Sequence, residues 1–148
     1  GLLRQVVQMS ELSVLGGKTK AIFSLEDILK KMPQTTCRVE HYFADGVYAR
    51  CFYLPKGVAA SSYIHRKPCV TIVAYGKVRT VTTLQDSESV QEVEGFQIFE
   101  SPAGMKRAIY GLEDTVWITL HPNPDNETDP EKILEQYTIT PQELLENN

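Results

Sequence analysis

The stretch that decides the fold runs from Gly57 to Gly76 and reads GVAASSYIHRKPCVTIVAYG. Glycine bounds it at both ends, and its second half is rich in Val, Ile and Thr, the residues that suit a pleated, half-buried strand. Side chains alternate along a strand, so Tyr63 and His65, two residues apart, share a face. If that face looks into a barrel, the pair is aimed at whatever the barrel holds.

Strand signals continue on both sides. TCRVEHYFA and VYARCFYLP flank Asp45-Gly46, a strong tight-turn signal. CVTIVAYG and KVRTVTTL meet at Gly76, and SVQEVEG, FQIFES, KRAIYG and DTVWITLH follow at short spacing. Short strands joined by Gly, Pro and acidic turns predict an antiparallel barrel or sandwich, not a βα repeat. The ends read as helical. LLRQVVQMSELSVL sets Leu3, Val6, Val7 and Leu15 near one face before Gly16-Gly17. SLEDILKKM has Ser24 as N-cap, Glu26 and Asp27 in its first turn, Lys30 and Lys31 in its last, and Pro33 as a stop. After the polar exit HPNPDNETDP, Asp129 caps a helix with Pro130 at its first position, and Thr140 with Glu143 has capping-box spacing. The expected layout is one domain: a helical arm over 1–35, a barrel over 36–121 and a helical tail over 122–148.

The composition agrees. A chain of 148 residues suits a single core, and 42% hydrophobic with 23% charged residues is ordinary for a globular protein. A net charge of -4 disfavours a general nucleic-acid binder. No apolar run is long enough to span a bilayer, and GLLRQVVQMSELSVLGG has too many polar residues for a signal peptide. Cys37, Cys51 and Cys69 are odd in number and lack close pair spacing, which points to a reducing setting and, for Cys37 and Cys51, to small buried side chains on strands.

The framing of the opening stretch is also that of a family. Gly57, five residues, Tyr63, Ile64, His65, three residues, Cys69, six residues, Gly76 resembles the first motif of the cupins, small β-barrels of jelly-roll type. That motif carries two histidines and a glutamate as metal ligands where this chain has Tyr63, His65 and Cys69. Gly95, then Pro102-Ala103-Gly104, then Arg107 resembles the second motif, with Arg107 where the last histidine would stand. Of four ligand positions, His65 alone keeps the family's residue. From His41 to Gln136 the chain is also similar to short cupin-like proteins of phages and prophages, in HYFADGVYAR, GVAASSYIH and ESPAGMKRAIYGLEDTVWITLHPNP. That resemblance implies a mainly β, cupin-like antiparallel barrel with short terminal helices. It implies a homo-oligomer of the host cytoplasm or the virion, not secreted, with no established activity.

The candidate residues follow. His65 is a metal ligand if Cys69, with His121 or His41, completes a set, since a catalytic zinc needs three protein ligands. Arg107 is always charged and is no ligand. It suits a carboxylate or phosphate held by two parallel hydrogen bonds, with Tyr63 and His65 beside it and Lys106 or Arg66 adding charge. The alternative is an ion pair with Glu100 or Glu113. Cys69 is a nucleophile only if His65 lowers its pKa. By alternation His121 shares a face with Thr115, Trp117 and Thr119, and Trp117 either lines the pocket or covers the outer face. Tyr48, Tyr53, Tyr75 and Tyr110 add aromatic surface. The expected function is non-catalytic: assembly with other copies or with phage structural proteins, or binding of a small anionic ligand, without a cofactor. The alternative is a metal-dependent oxygenase, isomerase or hydrolase built on His65 with a divalent metal.

Overall fold

The computed structural model describes residues 3–8, 34–85 and 87–139. In chain order the elements are β1 (Leu3–Gln8), β2 (Val39–Ala44), β3 (Gly46–Leu54), β4 (Val58–Ser62), β5 (Ile64–His65) and β6 (Cys69–Tyr75). Then come β7 (Lys77–Leu84), β8 (Ser87–Glu94), β9 (Gln97–Ser101), β10 (Lys106–Gly111), β11 (Thr115–Asn123), α1 (Pro130–Tyr137) and β12 (Thr138–Ile139). Two five-stranded antiparallel sheets face each other, one ordered β1-β4-β10-β7-β8 and the other β2-β3-β11-β6-β9. A two-stranded ribbon joins β12 to β5. This is the expected mainly β jelly roll.

The predicted turns are where the backbone needs glycine. Asp45-Gly46 makes the β2–β3 turn, with Gly46 at φ 75°. Asn126, from the loop after β11, ties the turn down: its Oδ1 accepts from Gly46 N at 2.8 Å and its Nδ2 donates to Asp45 Oδ1 at 3.0 Å. Both glycines that bound the opening stretch have positive φ, 83° at Gly57 and 96° at Gly76. A Cβ on Gly76 would fall 2.3 Å from the Asp114 carbonyl oxygen, so that turn has no room for a side chain.

Alternation sends the large apolar side chains between the sheets. Phe52, Leu54, Val73, Val78, Ile109 and Trp117 belong to the buried cluster there. Each fully buried side chain of this size contributes about 1.5–3 kcal/mol relative to exposure. Cys51 is buried and Cys37 is half-buried against this core, and all three cysteines are free thiols. No helix among the described residues is long and apolar enough to cross a membrane.

The N-terminal expectation needs correction. Leu3–Gln8 is a strand, not the start of a helix, and pairs antiparallel with β4 from Leu3↔Ser62 to Gln8↔Val58. Val6-Val7 fits either period, and the free edge of β4 supplies a ladder that no local helix offers. The rest of that predicted helix, the helix SLEDILKKM and the segment TPQELLENN lie outside the described residues. The C-terminal helix forms where its cap predicts. Asp129 is extended, its Oδ1 accepts from Glu131 N at 3.0 Å, and Pro130 opens α1.

Candidate functional site

Strands β3 and β11 run side by side with inward pairs Phe52↔Trp117, Arg50↔Thr119 and Tyr48↔His121. These six residues form one wall of a cavity of about 80 Å³ between the sheets. The opposite sheet adds Ala60 and Ser61 from β4 and Arg107 and Ile109 from β10. His65 enters from β5, and Cys69 and Ser101 from the ends of β6 and β9. Ile133 and Leu134 of α1 and Thr138 of β12 close over it, held by the pairs Thr138↔His65 and Ile139↔Ile64 and by Arg66 N donating to Tyr137 O at 2.7 Å.

All three histidines of the chain fall into one row of rings. His41 stacks on Tyr48 at 5.8 Å between centroids, Tyr48 on His121 at 5.7 Å, and His121 meets His65 at 4.7 Å. His41 Nδ1 and the Tyr48 hydroxyl share a 2.6 Å hydrogen bond, as do His121 Nε2 and Thr119 Oγ1 at 2.8 Å. Burial first, then the charges of Arg50 and Arg107, push His65 down to about 4. Burial, then His65 and Arg50, push His121 down to about 3. Both imidazoles are therefore neutral at pH 7.

Two arginines hold the charge of the site. Arg50 is only 5% exposed, and its Nε and Nη2 have no hydrogen-bond partner. Its guanidinium carbon sits 5.2 Å from the Phe52 ring centroid. Arg107 donates through Nη2 to Ser101 Oγ at 3.2 Å and to the Met105 thioether at 3.0 Å, while its Nε has no partner. Its guanidinium carbon lies 5.3 Å from the Phe99 ring and 5.4 Å from Trp117. Burial lowers both arginines to about 10, so both stay charged at neutral pH. The alternative of an ion pair from Arg107 to Glu100 or Glu113 is not formed; among the described residues no carboxylate pairs with either arginine.

Of the residues singled out in the sequence, His65, Cys69, Arg107, Trp117 and His121 converge on this cavity and Tyr63 does not. The strand breaks at Tyr63, between β4 and β5, so the alternation that would align it with His65 does not carry through. Trp117 faces inward, with Thr119 and His121 on the same face as expected. Lys106 is buried and donates through Nζ to the Ser62 carbonyl, and Arg66 is exposed; neither lines the cavity. The turn Pro102-Ala103-Gly104 has a structural task, because Gly104 N donates to the His65 carbonyl at 2.9 Å. Burial raises the Cys69 thiol, which Arg107 only partly offsets, so proximity to His65 does not make it a thiolate.

Arg50 is the residue the sequence reading missed. Its signal lies in VYARCFYL, where Tyr48, Arg50, Phe52 and Leu54 share one parity. A charge in phase with large apolar residues is an inward charge.

The donor set does not fit a divalent metal. Among the described residues no group of three or more His, Cys, Asp or Glu side chains is placed to hold one. His65, His121 and Cys69 share the cavity, yet a cation there would face two guanidiniums.

No protein-family model matches the chain, and no curated protein matches it. Solved structures do. A mutant of oxalate decarboxylase from Bacillus subtilis is similar over 78% of this chain and 33% of that one, with a TM-score of 0.58 at 13% identity. An RmlC-like cupin family protein with a double-stranded β-helix fold from Methanocaldococcus jannaschii matches at 18% identity and TM-score 0.49, over 64% of this chain and 88% of that one. A cupin superfamily protein from Desulfitobacterium hafniense DCB-2 matches at 14% identity and TM-score 0.48, over 64% and 84%. The chain has the cupin fold, and the likeness is one of fold. This chain spans about a third of the length of the oxalate decarboxylase.

Proposed function

We propose that this chain is a ligand-capture protein that takes a small anion into its barrel cavity and works by binding, not turnover. The observation that carries this reading is the pair of guanidiniums, Arg50 buried and Arg107 half-buried, each with a buried unpartnered N–H and, among the described residues, no carboxylate paired with it. A buried donor left unsatisfied costs about 1–3 kcal/mol, and a buried unpaired charge costs more. An anionic ligand removes both penalties at once. His65 and His121, neutral at pH 7, line the same cavity and add imidazole nitrogens beside the two arginines.

The test is thermal stabilisation by small carboxylates and phosphate, comparing the parent with Arg107→Ala. The parent is expected to gain several degrees at saturating ligand while the variant gains none and keeps its oligomer mass. Equal stabilisation of both would make Arg107 structural.

A second reading, assembly, is favoured by one observation. Tyr75 (56% exposed), Phe96 (66%) and Ile98 (58%) put large apolar side chains on or beside β6 and β9. Together with the resemblance to phage and prophage proteins, this supports a homo-oligomer working in a host cell or in a virion. Light scattering tests it: a monomer at micromolar concentration would remove this reading and leave the first.

A further inference from the structure

Among the described residues, the cavity lining holds two positive charges and no carboxylate. Arg50 reaches it from β3 in one sheet, and Arg107 from β10 in the other. Their backbones stand in opposite sheets, and the Arg107 guanidinium reaches across to Ser101, Phe99 and Trp117 of the sheet that carries Arg50. Each guanidinium lies near aromatic faces, Phe52 for Arg50 and Phe99 with Trp117 for Arg107, which leaves its N–H edges for a partner. Both arginines line the cavity together with His65. The rest of the wall is largely carbon, including Phe52, Ala60, Ile109 and Trp117.

These facts constrain the ligand. A monoanion would leave one of the two guanidiniums without a counter-charge. A compact inorganic dianion would supply the charge but set its polar oxygens against the carbon wall. We infer that the cavity is shaped for a small organic dianion, two carboxylates joined by a short carbon linker, with one carboxylate on Arg50 and the other on Arg107. The inference rests on the reading of the cavity as an anion site and specifies its ligand class.

Calorimetric titration at pH 7 and matched ionic strength tests it with three sets of probes: malonate, succinate and glutarate; propionate and butyrate; and inorganic phosphate. The best dicarboxylate is expected to bind at least about tenfold tighter than either monocarboxylate, as a second charge-assisted contact implies, and tighter than phosphate. Arg50→Gln and Arg107→Gln should each shrink the dicarboxylate preference to within about threefold. The preference is measured within one protein, so a general loss of affinity in a variant does not imitate this result. If a variant does not fold, the wild-type series decides alone. Equal affinity for dicarboxylates and monocarboxylates overturns the dianion and leaves the anion site standing. Tightest binding of phosphate overturns the carbon linker. Binding of none of the probes removes the anion-site reading as well.

Discussion

The histidine pair makes a prediction about acid that can be worked through. In the unfolded chain an imidazole titrates near 6.5. In the folded protein burial and nearby charge hold His65 at about 4 and His121 at about 3. Between those values the unfolded chain binds protons that the folded one refuses. The stabilisation is therefore fully present above about pH 6.5 and is lost as the pH falls towards 4 and below. Each histidine should account for about 2 kcal/mol of loss between pH 7 and pH 5, about 4 kcal/mol together. The perturbation is His65→Gln with His121→Gln, which removes both titrations while leaving Arg50, Arg107, Tyr48 and Cys69 around them. The assay is urea unfolding of both proteins at pH 7, 6 and 5, with the change in stability as the readout. Carboxylates titrate in both proteins and cancel in the comparison. The parent should weaken steeply across this range and the double variant much less. Equal slopes would refute the claim that the two imidazoles are held neutral inside the barrel.

Two more outcomes follow from the same structure. Gly76→Ala should lower stability by at least about 2 kcal/mol, because it combines a strained positive φ of 96° with a Cβ placed 2.3 Å from a backbone oxygen; a thermal melt unchanged within a degree would contradict it. Elemental mass spectrometry on protein without a histidine tag should find no stoichiometric zinc, iron, nickel or manganese in either the parent or His65→Ala. One metal per chain that disappears in the variant would restore the metalloenzyme.

Strands β2, β3 and β6 to β11 were legible because period-two alternation and turn glycines are local signals, and Asp45-Gly46 and Gly76 stand where they predict. Leu3–Gln8 was not, since its fate depends on pairing with β4, fifty or more residues further on. The site divides the same way. Arg107 and His65 could be found from the spacing of a motif, and His121 and Trp117 from alternation along one strand. Tyr63 misled because a break in the backbone, invisible in the residue types, ended the alternation that the spacing assumed. Arg50 was there to be found by parity in β3, but its meaning depends on Arg107 reaching the same cavity with no described carboxylate paired to either, and that is a fact of tertiary structure.

Trp117 is the only tryptophan in the chain, and its indole forms part of the cavity wall beside Phe99 and the Arg107 guanidinium. The molecule thus carries an optical gauge at the spot where its proposed cargo would rest. An anion drawing the guanidinium's charge away from the ring would alter the field on the indole, and with it the colour and intensity of the emission. No second tryptophan would blur that signal, so unlabelled protein should report its own filling and emptying in real time.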